Sequence, residues 1–365
     1  MRTSTKTKIS ESSKPAKNKI GAGAIRNLCL ALGFSTTDLS PVTKLFIVFS
    51  LLVLLNGCAL YTAIDTPKMR DRFPPTGNFI TVDGVKLHYL KIEPTEPTSN
   101  ANGHVDKWPL IMIHGAGGNL QDLSTSIAPE LAQDRTVIIF DRPGFGYSER
   151  PGGKWFNPAD QARVIHGAVK QLGFDKVVVL GHSYGGTVTL RFALDFPETT
   201  AAMISIAGPS HHWGGDIGAL YNIGNTPVVG PLFAWNVYYP VGKVAIDGAV
   251  RKVFSPNPMP ENYVQDSASA LALRPKTYLA NARDVGNLDA FLKQQESRYN
   301  ELRMPVLLIW GSEDLTVWED FHIPRFEKQV AQMQRLHLPG AGHMPHHSHS
   351  EEVIDGVRQF LEPIN

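Results

Sequence analysis

Three groups far apart in the chain carry what acyl transfer requires. Ser183 stands in Gly181-His182-Ser183-Tyr184-Gly185, directly after the apolar run at 176–180 and before a helix-compatible stretch at 187–196. A strand that runs into G-x-S-x-G and then a helix makes a turn so tight that side chains at the glycines would collide with backbone. The serine is left in a strained conformation with its hydroxyl exposed. That hydroxyl is a weak nucleophile, so it needs an imidazole to take its proton and a carboxylate to hold the imidazole in the right tautomer. Both stand downstream, each just past an apolar run: Glu313-Asp314 after 305–310, and His343 after 334–338. The order Ser183, acid, His343 is one in which this set of groups recurs.

Those groups need a scaffold, and the chain spells one out. Phe79–Val82 and Val85–Tyr89 alternate around Asp83-Gly84, which predicts a β-hairpin. Short apolar runs follow at Leu110–His114, Thr136–Asp141, Lys176–Leu180, Ala202–Ile206, Pro305–Trp310 and Gln334–Leu338, and read as buried strands. Helical stretches separate them; in one, Ala162, Ile165, Val169 and Leu172 keep a single face apolar. Alternating strands and helices predict a mostly parallel sheet covered on both faces, with functional residues at the strand carboxyl ends. The rhythm breaks over residues 211–300, too long a stretch for a structureless loop, so it is expected to form a lid subdomain. Its aromatic residues Trp213, Phe233, Trp235, Tyr238 and Tyr239 are expected either to line an apolar pocket or to pack between lid and sheet.

With these motifs in place, residues 79–210 and 301–365 resemble the α/β-hydrolase superfamily. The likeness includes His114-Gly115-Ala116-Gly117-Gly118 after the third strand and Asp141-Arg142-Pro143-Gly144-Phe145-Gly146-Tyr147-Ser148 after the fourth. The resemblance implies an eight-stranded, mostly parallel sheet flanked by helices, with an inserted, mainly helical lid. It also implies the catalytic set Ser183, Asp314 and His343, with Asp314 preferred over Glu313, and an oxyanion hole formed by the backbone N–H groups of Ala116 and Tyr184. Related epoxide hydrolases and haloalkane dehalogenases use Asp at the elbow, so Ser183 points away from those reactions. His114 and His182 are expected to brace loops, and Asp141 and Arg142 to build turns. His346, His347 and His349 come without Cys or Glu-x-x-His spacing, so a solvated loop is expected there and no metal or other cofactor.

The amino terminus differs from the rest. Residues 1–44 hold eight Lys or Arg against Glu11 and Asp38, a net of +6, and the apolar run Leu45–Leu55 follows, then Asn56-Gly57-Cys58-Ala59. A basic flank, an apolar run and a small residue predict an export signal over residues 1–57. A helix over 45–60 would be ~24 Å long, short of the ~30 Å needed to span a bilayer. Leu55-Asn56-Gly57-Cys58 resembles a bacterial lipobox, with Asn56 where that pattern has a small or β-branched residue, and implies acylation of Cys58. A single transmembrane anchor is the alternative. The long basic segment suggests a start at Val42, which would leave 1–41 untranslated. Residues 58–78, with Pro67, Pro74, Pro75 and Gly77, read as a tether from a bacterial envelope membrane.

The remaining composition excludes more than it selects. A net charge of +1 over 365 residues gives no reason to expect a nucleic acid partner, and two cysteines, Cys29 and Cys58, supply neither a disulfide framework nor a thiolate metal site to the folded part. The expected function is hydrolysis of a carboxylic ester, drawn from small-molecule or lipid-like substrates. Cleavage of a C–C bond, a lactone or an amide by the same fold is the alternative. A noncatalytic envelope lipoprotein that keeps the fold as a binding module is the alternative of another class.

Overall fold

The computed structural model describes residues 40–95, 107–153 and 157–364; most of the basic segment 1–44 lies outside them. Two compact units divide at Asn56/Gly57. In the unit from Gly57 onward, eight strands form one sheet: β1 (Asn78–Val82), β2 (Val85–Ile92), β3 (Leu110–Ile113), β4 (Val137–Phe140), β5 (Val177–His182), β6 (Thr200–Ile206), β7 (Val306–Gly311) and β8 (Met333–Leu338). Their order is β1-β2-β4-β3-β5-β6-β7-β8. β1 and β2 pair antiparallel, β2 joins β4 antiparallel, and every pairing from β4 to β8 is parallel. All residues of β3 to β7 are buried, which is why they read as unbroken apolar runs rather than alternating ones.

Helices cover both faces. With Pro41–Asp65 and Met69–Arg72 counted as the first two helices, α3 (Leu120–Ser124), α4 (Ala128–Leu131), α5 (Pro158–Gln171) and α6 (Tyr184–Asp195) fall within the first part of the sheet. Asn157 caps α5 by accepting from Asp160 N–H, and Pro158 sits where its missing N–H costs nothing. Ala162, Ile165 and Val169 then pack with Val82, Ile111 and Val179 in one buried cluster. Between β6 and β7 the chain forms α7 (Ala219–Gly224), α8 (Val229–Phe233), α9 (Tyr239–Phe254), α10 (Tyr263–Asp266) and α11 (Pro275–Gln295). A π-helical turn over Ala234–Tyr238 joins α8 to α9; Pro240 lacks the N–H that an α-helix would direct at Asn236. α12 (Glu319–Glu327), α13 (Pro345–Ser348) and α14 (Ser350–Leu361) complete the fold.

Two expectations change at the amino-terminal side. A first helix, here αN, runs from Pro41 to Asp65, 25 residues, or ~37 Å, which exceeds the ~30 Å hydrocarbon core. The helix continues past the apolar run, through Gly57, and ends two residues before Pro67, so by length and composition it can cross a membrane. At 25 residues the helix is longer than the segment expected over 45–60 and is not too short to span. The stretch 58–78, expected as a tether, is helical through Asp65 and again over Met69–Arg72. Met69 is buried with Tyr239, Leu271 and Leu273, and Thr62 Oγ1 donates to Trp235 C=O at 2.7 Å. Lid side chains order this segment, and a proline-rich composition does not reveal such partners.

Candidate active site

The elbow follows from close backbone approach. Ser183 has φ 52° and ψ −122°, a region an L-residue adopts only when its surroundings impose it. Its N–H is held by Ile206 C=O at 2.8 Å. A Cβ on Gly181 would lie 2.2 Å from Gly185 O, and one on Gly185 would lie 2.2 Å from Ile113 O. Glycine is thus required at both places, and the serine is pushed to the sheet's carboxyl edge at the start of α6.

His343 reaches it from the loop after β8. Its Nε2 stands 3.0 Å from Ser183 Oγ, and its Nδ1 stands 2.8 Å from Asp314 Oδ2. The other carboxylate oxygen, Oδ1, accepts the N–H groups of Thr316 and Val317 at 2.8 and 2.9 Å. Asp314 is buried whereas Glu313 is exposed. With Nδ1–H donated to the carboxylate, the Nε2 lone pair faces the serine hydroxyl, which is the tautomer a general base needs.

The two expected oxyanion donors lie where the fold brings loops to the serine. Tyr184 is the first residue of α6, and Ala116 lines the same cavity as Ser183 and His343. The loop carrying Ala116 is anchored from the lid, since Gly117 N–H donates to Asn281 Oδ1 at 3.0 Å. His114 Nδ1–H donates to Gly115 C=O while Nε2 accepts Arg142 N–H at 3.0 Å. Burial, helped by the Arg142 cation, pushes His114 down to about 3, so it stays neutral and acts as a brace. Asp141 gathers Leu120 N–H, Tyr147 N–H and the His88 ring. Arg142 is locked to Asp284 of α11 at 2.8 Å and stacks against Phe145 and Tyr184.

His346 and His347 depart from the solvated loop expected of them. His346 is fully buried and its Nε2 lies 3.2 Å from Asp122 Oδ2; His347 Nε2 lies 2.9 Å from Oδ1 of the same carboxylate. Tyr263 OH from the lid also donates to Asp122 Oδ1, at 2.7 Å. Burial alone would raise the Asp122 pKa, but the two imidazoles outweigh it and hold the group well below the carboxylate range. Burial holds His346 neutral at pH 7, in keeping with an N–H donated to Asp122. His182 is likewise neutral through burial, and its Nε2–H donates to His343 C=O at 2.9 Å.

Sequence reasoning passed over Asp122 and Tyr263 because nothing in their spacing marks them; a capping-helix aspartate and a lid tyrosine meet only in space. Asp122, His182 and His346 bring possible ligand atoms within 4.8 Å of one another and form the one such group among the described residues. Both Asp122 oxygens already accept hydrogen bonds, so the cluster reads as a brace for the His343 loop.

The cavity over Ser183 has a volume of about 450 Å³. Its walls include Phe233, Tyr238, Ala245, Ile246, Ala249 and Val250, and no Lys or Arg is among its lining residues. Of the lid aromatics, Phe233 and Tyr238 thus line it. Tyr239 is buried against Met69, and Trp213 packs on the sheet's helical layer.

This fold, with a serine elbow, a histidine and a buried aspartate at the strand ends, is that of a hydrolase. The chain belongs to the alpha/beta hydrolase family, whose profile matches residues 110–356. It is similar to 2-hydroxy-6-oxo-6-phenylhexa-2,4-dienoate hydrolase of Burkholderia cepacia, 28% identical over 297 residues that cover 78% of this chain and 96% of that one. Among solved structures it resembles the enol-lactonase of Burkholderia xenovorans LB400, with a TM-score of 0.63, 16% identity and coverage of 78% of this chain and 100% of that one. It also resembles a bacterial membrane phospholipase A, with a TM-score of 0.59, 18% identity and coverage of 93% and 99%. At such identities the two structures share the fold alone.

Proposed function

We propose that this protein is a serine hydrolase that cleaves carboxylic esters with an apolar acyl group. Ser183 Oγ attacks the ester carbonyl carbon as His343 Nε2 takes the hydroxyl proton. The negative charge moves to the carbonyl oxygen, between the N–H groups of Ala116 and Tyr184, where one fixed donor is worth ~3 kcal/mol. The intermediate collapses with cleavage of the C–O bond, and the imidazolium returns its proton to the departing alkoxide. Water, deprotonated by the same Nε2, then releases the acid from Ser183. Asp314 holds the imidazole and balances its charge.

The observation that carries this reading is the unbroken chain Asp314–His343–Ser183 opening into an apolar cavity with no cation in its lining. The same lining weighs against the second reading, C–C bond hydrolysis. The Burkholderia cepacia relative is named for a dienoate, and an anionic substrate of that kind wants a cationic or donor-rich subsite. The deciding experiment is fluorophosphonate labelling followed by peptide mass spectrometry, with a parallel panel of p-nitrophenyl esters and a dienoate ring-cleavage product. Labelling on Ser183, its loss in Ser183→Ala, and turnover of esters over dienoate are expected. Full ester turnover in Ser183→Ala would refute the nucleophile, and a folded, unlabelled protein would favour a binding module.

The part of αN ahead of the lid contacts of Thr62 and Asp65 completes the proposal as the attachment to a bacterial membrane, either as a spanning helix or through acyl chains on Cys58. Cys58→Ala separates the two: release from the membrane fraction marks a lipoprotein, and retention marks an anchor.

A further inference from the structure

Residues 217–242 contain no Asp, Glu, Lys, Arg or His, yet several of their aliphatic side chains lie on the lid surface. Val228 is 71% exposed, and Leu220, Val229 and Leu232 are exposed beside it in sequence; one turn into α9, Val244 is 89% exposed. Val228 has φ 66° and ψ −53°, with Val229 N–H bonded to Pro227 C=O at 2.7 Å. That is a strained γ-turn, and a β-branched residue is a poor choice for it. Such strain on an exposed aliphatic tip wants a functional reason. Leu220, Val237, Val241 and Val253 are exposed and also line the catalytic cavity, so this apolar face forms the rim of the cavity.

A monomer in water gains nothing from so continuous an apolar rim. The docked end of αN says what meets it. Asp65 accepts Tyr239 OH and Lys243 Nζ, each at 2.8 Å, and Thr62 bonds to Trp235 C=O. Leu55, the last residue of the apolar run, precedes Thr62 by seven residues, ~10 Å of helix; Cys58 is nearer still. Whichever of these enters the membrane, the chain that ties it to the lid is at most two helical turns long.

We propose that the face of the lid formed by α7, α8 and the start of α9 docks on the lipid bilayer, so that the ester enters the cavity from the membrane rather than from water. The docking rests on the reading of residues 41–58 as the membrane attachment, but not on turnover. The full chain, in vesicles of phosphatidylethanolamine and phosphatidylglycerol, tests it with p-benzoylphenylalanine placed in turn at Leu232, Val244 and Asp175. Asp175 is a control at the amino-terminal end of β5, with its side chain 97% exposed. Irradiation and mass spectrometry should find lipid adducts at 232 and 244 and none at 175, equally in a Ser183→Ala background. Absence of lipid adducts at 232 and 244, or adducts there to a second copy of the chain, would overturn the proposal.

A second measurement reads the consequence for substrate. Leu232→Glu with Val244→Glu, neither residue lining the cavity, should leave turnover of a soluble short-chain ester within twofold. Turnover of a long-chain ester dispersed in the same vesicles should fall tenfold or more. Unchanged turnover of both, or an equal loss on both with an unchanged melting temperature, would count against the docking. If no ester is turned over at all, the reaction assigned to Ser183 fails while the crosslinks still decide where the lid sits.

Discussion

Two hydrogen bonds of one imidazole set the proposed chemistry at the residue scale. Asp314 gives His343 its tautomer, so Asp314→Asn, which presents an N–H in place of an acceptor, should lower kcat by ~10⁴ with KM little changed. Glu313→Gln should leave both constants within twofold, because that side chain is exposed and outside the set; steady-state kinetics on one ester compares the two. Ser183, Asp314 and His343 were legible because the proposed reaction would fix their types and each follows a recognisable strand. The partners behind them were not. Asp122 and His346 are 224 positions apart and Tyr263 lies 141 from Asp122, and a histidine-rich stretch reads the same whether solvent or a buried carboxylate meets it.

At the scale of elements, the proposed ester reaction would have the lid select the acyl group. α9 presents small residues, Ala245 and Ala249, to the cavity, with Val250 and Val253 further along. Ala249→Phe fills that wall and should lower kcat/KM tenfold or more for acyl chains of about ten carbons or longer, with two-carbon esters unaffected. A chain-length series on both proteins measures it, and an equal loss across the series would place the acyl group elsewhere. The length of the 211–300 interval led to the expectation of a lid, since a compact fold does not carry so long a loop, and the structure has α7 to α11 between β6 and β7. Which of its faces turned inward was closed to sequence reasoning. Phe233 and Tyr238 line the cavity while neighbouring Tyr239 packs on Met69, an outcome set in part by the π-helical turn, which shifts the register of facing residues.

At the scale of the whole molecule, burial of neutral imidazoles ties stability to pH. Burial lowers the pKa of His114 and His322 to about 3 each, and lowers those of His182 and His346 as well. A histidine whose folded pKa is depressed binds its proton more readily when unfolded. Its contribution is therefore present above the unfolded value, ~6.5, and lost as pH falls from there toward the folded value. Each group can remove up to ~1.4 kcal/mol per pH unit in that window, so the four together should make the melting temperature drop steeply between pH 6.5 and 5. Thermal melts at those two values check the sign; a flat profile would mean that these imidazoles are protonated in the fold. His114→Asn should reduce the slope.

The amino-acid sequence by itself determined the strands, the glycine-flanked elbow and the order Ser183, Asp314, His343 past the strand ends, because these are local: a buried parallel strand needs an apolar run, and a serine on a tight turn needs glycine on both sides. Tertiary structure alone decided that Thr62, Asp65 and Met69 pack on the lid, that His346 is buried on Asp122, and that aliphatic side chains of an uncharged lid stretch stay outside at the rim of the cavity. Each of these depends on which distant side chain arrives opposite, and a one-dimensional pattern of polarity is the same for a group that meets water, a carboxylate or another helix.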